Sequence, residues 1–199
     1  MMATTHALVG VAIAALASLV VPEISIVAVA AAAAGGFFPD LDLYAGHRKT
    51  LHFPIYYSVM AVTGTVVALF APAPGLWALA LFLTAAAVHS LMDVFGGGLE
   101  LRPWLGTSER AVYSHFHGRW VRPKRWIRYD GAPEDLGLAM LVAIPGMLAF
   151  DAQVSFGIAG LLAISAVYVA LRKPLVRIAE WLFARVPQPI KVRLPRRFV

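Results

Sequence analysis

Apolar residues in this chain fall into six runs, His6–Val21, Ile24–Phe38, Ile55–Ala71, Leu76–Phe95, Leu136–Phe150 and Val154–Leu171, with the polar residues crowded between them. A straight membrane span needs roughly 20 apolar residues, with about 17 as a lower limit. The first, second and fifth runs fall short of that. They read as thin spans, or as arms of a re-entrant hairpin covered by the others. The linkers Val21-Pro22-Glu23, Pro72-Ala73-Pro74-Gly75 and Asp151-Ala152-Gln153 are tight, so successive runs must lie antiparallel. The pattern predicts an all-α, polytopic membrane bundle of six short helices over residues 1–171. Its polar loops, 39–54 and 96–135, lie on one side, and a basic amphipathic tail follows at 172–199.

Composition supports a membrane setting. Of 199 residues, 60% are hydrophobic and 14% charged, with a mean hydropathy of +0.73, against about 25% charged in a soluble domain. So few charges cannot cover a water-facing surface, and lipid must cover part of it. The chain has no Cys, which excludes disulfides, thiolate metal sites and cysteine nucleophiles. Any metal must be held by His, carboxylate, backbone or water. Met1–Thr5 carries no Lys or Arg and does not read as a signal peptide.

The net charge of +6 would suit nucleic acid, but its placement argues otherwise. All 17 Lys and Arg lie in 39–54, in 96–135 or after Leu171, while the tight linkers carry only Glu23 and Asp151. By the positive-inside rule the basic side is cytoplasmic, and no nucleic-acid partner is expected. The tail mixes Arg and Lys with Ile178, Trp181, Leu182 and Phe183. That mixture fits an anchor lying along the membrane surface, or a binder of an anionic lipid head group.

All six His, at 6, 47, 52, 89, 115 and 117, fall on or near this same side, as do Asp40, Asp42 and Asp93. In His89-Ser90-Leu91-Met92-Asp93 the two end residues are four apart, on one helix face, so both can reach one ion. The helix C-terminus adds attraction for a cation. The same pair also fits a hydrogen-bonded helix end. In Pro39-Asp40-Leu41-Asp42 two carboxylates can straddle or bridge metal ions, or simply close a helix-terminating turn. His47 and His52 share the loop before Pro54, where either can ligate, act as acid or base, or support structure. His6 opens the first helix after Thr4-Thr5. His115-Phe116-His117 has alternate spacing, which points both rings the same way in an extended segment. It lies in a basic loop with Arg110, Arg119, Arg122, Lys124, Arg125 and Arg128, suited to an anionic substrate group, and Trp104, Trp120 and Trp126 are interfacial anchors.

The order of these motifs resembles the YdjM-like membrane-bound metal-dependent hydrolases. The matching residues are His6, Pro39-Asp40-Leu41-Asp42, His47-Arg48 with His52, and His89 with Asp93, all within roughly the first hundred residues. That family is similar to zinc-dependent phospholipases C and related single-strand nucleases, helical enzymes whose clustered His and Asp hold several zinc ions. The chain departs from the family where Leu51-His52-Phe53 replaces Thr-His-Ser, with Thr50 one place early. The resemblance implies metal-assisted hydrolysis of a phosphoester.

On this reading His6, Asp40, Asp42, His47, His52, His89 and Asp93 hold divalent metal, with zinc favoured and manganese or iron open. Asp40, His52 and Arg48 carry catalysis, and Arg48 with the basic loop neutralises phosphoryl charge. Which carboxylate is base and which is ligand stays open. A site flush with the membrane favours membrane lipid, an anionic lipid or a phosphorylated lipid-linked substrate. Two alternatives remain: a non-catalytic metal-binding membrane protein, and a metal transporter.

Overall fold

The computed structural model describes residues 1–21 and 24–186. The six apolar runs form six helices: α1 (Ala3–Ala17), α2 (Ile26–Phe37), α3 (Pro54–Phe70), α4 (Pro74–Met92), α5 (Pro133–Ala149) and α6 (Ala152–Arg185). Their starts follow local chemistry. Proline occupies the first turn of α3, α4 and α5, where its missing N–H costs nothing. Ser25 and Asp151 cap α2 and α6 by accepting from Ala28 and Val154 backbone N–H, each at 3.2 Å.

α1 is the hub. It packs on α2, α4, α5 and α6, while α3 packs on α4 at the periphery. The core joins Leu8, Val11 and Ala14 of α1 to Ala28 and Ala32 of α2, Leu81 of α4, Ala139 and Ala143 of α5, and Ile158 of α6. Outward-facing residues are also apolar: Phe70, Leu148 and Phe156 are 88, 82 and 78% exposed, as expected of a surface that faces lipid. α4 with its continuation (Pro74–Phe95) and α6 are long and apolar enough to cross a membrane. So is the second run, because a 3-10 turn, Phe38–Tyr44, extends α2 to membrane length as Ile26–Tyr44. α1 stays short, but its neighbours enclose it, so it needs no full span of its own.

Close approach is built from glycine. A Cβ at Gly10 would lie 2.1 Å from the Ala32 carbonyl oxygen, at Gly35 2.1 Å from that of Phe82, and at Gly36 2.2 Å from that of His6. Small residues let membrane helices pack backbone to backbone where no hydrophobic drive separates helix from lipid. Gly35 and Gly36 thus wedge the end of α2 between α4 and α1.

Two features differ from the linear pattern. Arg172–Arg185, the start of the expected tail, continues α6 through Pro174; the rest of that tail, 187–199, lies outside the described residues. Within 96–135 a short hairpin forms from β1 (Val112–Ser114) and β2 (Arg119–Val121). His115 and His117 occupy its turn, with Gly118 at φ +62°, so they are not aligned on one extended strand. The His115 ring packs on Phe53, and His117 Nδ1 lies 2.9 Å from Ser114 Oγ.

If these contacts fix the bundle, Gly36→Ala and Gly35→Ala lower the thermal stability of detergent-purified protein by about 1–3 kcal/mol, the usual cost of overpacking. Gly157→Ala and Gly160→Ala, on α6 with nothing within 4 Å, leave it equal or raise it by up to about 1 kcal/mol. Equal effects at all four positions would refute the wedge.

Candidate metal centre

Four stretches of chain deliver the site. α1 brings His6, the 3-10 turn brings Asp40 and Asp42, the loop before α3 brings His47, Arg48 and His52, and the end of α4 brings His89 and Asp93. With three residues per turn, side chains two apart in a 3-10 helix point about 120° from each other. Asp40 and Asp42 therefore part: one turns to α4, the other to the loop.

Asp42 is buried and organises that loop. Its carboxylate accepts from the backbone N–H of Arg48 and Lys49 at 3.2 Å and of Leu51 at 3.1 Å. It also takes His47 Nδ1 and His52 Nδ1, each at 3.0 Å. The loop closes around it through left-handed backbone at Gly46 (φ +102°) and Arg48 (φ +59°). That conformation costs a side-chain-bearing residue on the order of 1 kcal/mol, which charge-assisted bonds to a carboxylate offset.

The hydrogen positions then follow. His89 Nδ1 lies 2.6 Å from the Gly36 carbonyl oxygen, which can only accept, so Nδ1 carries the hydrogen. His52 Nδ1 likewise donates to Asp42. In the neutral rings both Nε2 atoms are bare lone pairs, and they stand 3.1 Å apart. Asp40 Oδ1 is 3.5 Å from His89 Nε2 and 4.0 Å from His52 Nε2, while Asp93 Oδ2 is 3.5 and 3.4 Å from the same two atoms. All four ligand atoms lie within 4.8 Å of one another.

Acceptors that converge in this way can be held together by a bound cation or by a shared proton. A proton on one Nε2 joins one pair and leaves the others facing each other. A tetrahedral zinc ion with bonds of about 2.0–2.1 Å holds its ligand atoms about 3.3–3.4 Å apart, close to most of these separations. Asp93 Oδ2 is buried and accepts no well-aligned hydrogen bond, although Arg48 pairs with it by charge at 3.1 Å. The group Asp40, His52, His89 and Asp93 can hold a metal ion, and each imidazole is fixed from behind by an acceptor, as metal-ligating histidines usually are.

The remaining expected residues surround this group. His6 stacks on His89 with ring centres 3.7 Å apart, and its Nε2 meets Asp93 Oδ1, the oxygen turned away from the other ligand atoms, at 3.1 Å. Arg48, 5% exposed, sets its Nε 3.1 Å from Asp93 Oδ2 and donates from Nη1 to the Gly97 carbonyl at 2.7 Å. Asp42 and His47 stand one layer behind His52. An open cavity of about 1000 Å³ adjoins the site, with Asp40, His47, Arg48 and Arg110 on its polar side and Phe37 and Leu43 on its apolar side. Of the four converging residues, Asp40 lines this cavity and the other three are sealed behind it.

The hairpin clamps the ligand loop. Tyr113 N–H donates to the Arg48 carbonyl at 2.9 Å, Lys49 Nζ lies 4.5 Å from the Tyr113 ring centre, and the His115 and Phe53 ring centres are 4.5 Å apart. Burial, with Lys49 nearby, holds the His115 imidazole below its ordinary pKa. Sequence reasoning missed Gly36 and Gly97, which act through backbone carbonyls and carry no side chain to recognise. It also missed Asp135, whose buried carboxylate accepts from Met2 N–H and Thr5 Oγ1 at 2.8 Å and Gly131 N–H at 3.1 Å, tying the start of α5 to α1. The Pro-Glu-Asp opening of α5 was its available signal.

Because Asp42 orients His52 without joining the four atoms, Asp42→Asn should weaken metal binding about 10- to 100-fold, the usual effect of losing an outer partner. Titration of metal-stripped protein with zinc checks this, and unchanged affinity would remove Asp42 from the site. No protein-family model, no curated protein and no solved structure matches this chain.

Proposed function

We propose that this chain is a membrane-bound metal-dependent hydrolase acting on a phosphoester, lipid-like or lipid-linked, at the cytoplasmic membrane surface. The observation that carries this reading is the convergence of two imidazole lone pairs and two carboxylate oxygens beside an open cavity that Arg48 and Arg110 line. The motif order shared with YdjM-like hydrolases supports it. Asp40, His52, His89 and Asp93 hold the ion, with zinc the first choice for an imidazole–carboxylate set and manganese or iron next. When bound, such an ion supplies Lewis acidity and water of lowered pKa.

The chain's own residues do the rest. Arg48 and Arg110 face the cavity with positive charge and orient a phosphoryl group. Asp40 and His47 are the proton-carrying groups of the 3-10 turn and the ligand loop that line the cavity, which Glu100, Asp130 and Tyr168 also line, so they meet substrate directly. His52, sealed and held by Asp42, serves as a ligand and not as a mobile acid. The side with all 17 basic residues is cytoplasmic on this reading.

Metal analysis with turnover of a chromogenic phosphodiester tests the proposal. Wild type should carry stoichiometric metal and hydrolyse the ester, chelation should abolish this and metal restore it, and folded His89→Ala and Asp93→Ala should lose both. Arg48→Ala should keep metal and lose about 100-fold in rate, as for removal of one charge-stabilising donor. Metal-loaded protein that turns over no phosphoester but moves metal into liposomes would instead establish a transporter. Absence of metal after reconstitution would remove the site altogether.

Sidedness is separately testable in this Cys-free chain. Cysteines at Ala73 and Ala152 should label only from outside the cell, and one at Thr107 only from the cytoplasm. The reverse pattern would overturn the orientation.

A further inference from the structure

α6 changes character at Arg172, far from any metal ligand in sequence. Beyond that point Lys173, Val176, Arg177 and Glu180 recur at three- and four-residue spacing along one face. Leu171, Leu175, Ile178 and Leu182 follow the opposite face and are all about half exposed. The helix is thus apolar towards lipid and basic towards the protein. Its basic face meets the segment carrying Arg102 and Trp104, and the two enclose a cleft of about 290 Å³.

Charge in this cleft is unbalanced. Arg102 and Glu180 satisfy each other through two bonds, at 2.5 and 2.6 Å. That leaves Lys173 and Arg177, and among the described residues neither has a carboxylate within ion-pair distance. Lys173 Nζ instead lies 5.7 Å from the Trp104 ring centre and 5.4 Å from that of Tyr129. Val176, 6% exposed, forms the floor.

We propose that this cleft binds the phosphate-bearing head group of an anionic phospholipid. It lies where the apolar part of α6 ends, the depth at which head groups sit and tryptophan concentrates. The apolar stripe on the back of the same helix places acyl chains alongside it. Two unpaired cations and an indole suit a phosphodiester, and the volume matches about ten liquid waters, enough for one glycerol-phosphate head. None of these residues belongs to the metal centre, so the proposal stands apart from the hydrolase reading.

Native mass spectrometry of the full chain in detergent, with phosphatidylglycerol or phosphatidylcholine added, tests it. Wild type should retain the anionic lipid in preference to the zwitterionic one. Each interfacial cation is worth about fivefold in affinity, so Lys173→Gln/Arg177→Gln should bind phosphatidylglycerol about 25-fold more weakly with metal content unchanged. The charge-keeping Lys173→Arg/Arg177→Lys should stay within a few-fold of wild type. Equal retention of both lipids by wild type would overturn the proposal, whether or not the double variant folds. So would unchanged binding in the Gln variant, or displacement of the lipid by millimolar inorganic phosphate, which would mark a site for free anion.

Discussion

Two imidazole lone pairs and two carboxylate oxygens packed within 4.8 Å repel one another, and the upper layer of this bundle is arranged around that repulsion. Taking an ionised carboxylate out of water costs several kcal/mol, more than one ordinary hydrogen bond returns. The offset is therefore spread over many partners. Arg48 stands against Asp93, and its left-handed backbone is held by the nest of N–H groups around Asp42. The outward nitrogens of His52 and His89 are anchored to Asp42 and to the Gly36 carbonyl. Each anchor also settles which ring nitrogen is bare. A ligand group of this kind is made by its outer partners as much as by its own atoms.

The membrane decides where such a layer can be. In hydrocarbon every backbone polar group needs an internal partner, so a helix cannot be opened midway to admit ligands. Here all of them come from helix ends and the loops beside them. α2 and α4 terminate at the site, presenting the negative ends of their dipoles to a cation, while α1 begins there with His6. Glycine makes the convergence possible: with a side chain at Gly36, α2 would stand off from α1 and the carbonyl that fixes His89 would be out of reach.

Much of the architecture was legible in the sequence because its signals are local. The six runs became six helices, and His89 with Asp93, four apart, share a helix end as the spacing implied. Asp40 and Asp42 were legible as a pair but not in their roles, since the sequence does not say that a helical turn, which sends side chains two apart in different directions, carries them. His115 and His117 misled because alternate spacing has meaning only in an extended strand, and a glycine-assisted turn intervened. Gly36 and Gly97 were illegible because they act through backbone carbonyls on partners dozens of positions away, and the Pro-Glu-Asp opening of α5 marked Asp135 without naming its distant partners. The continuation of α6 past Pro174 was hidden by the basic residues, which read as a tail until their one-sided spacing is set against the Trp104 segment.

What lies beneath the site bears on what it is for. A carrier of ions needs polar groups through the bundle to the far side. Below His6 the central helix presents Leu8, Val11 and Ala14 to Ala28, Ala32, Leu81 and Ala143, and Gly10 touches the backbone of Ala32. Among the described residues this buried core is close-packed hydrocarbon with no Asp, Glu, His, Lys or Arg in it. The access the site has runs sideways, past Asp40 and Arg48 into the cavity walled by Phe37 and Leu43. A centre closed below and open beside the membrane surface suits a substrate that arrives, reacts and leaves on one side, and this favours a hydrolase over a transporter.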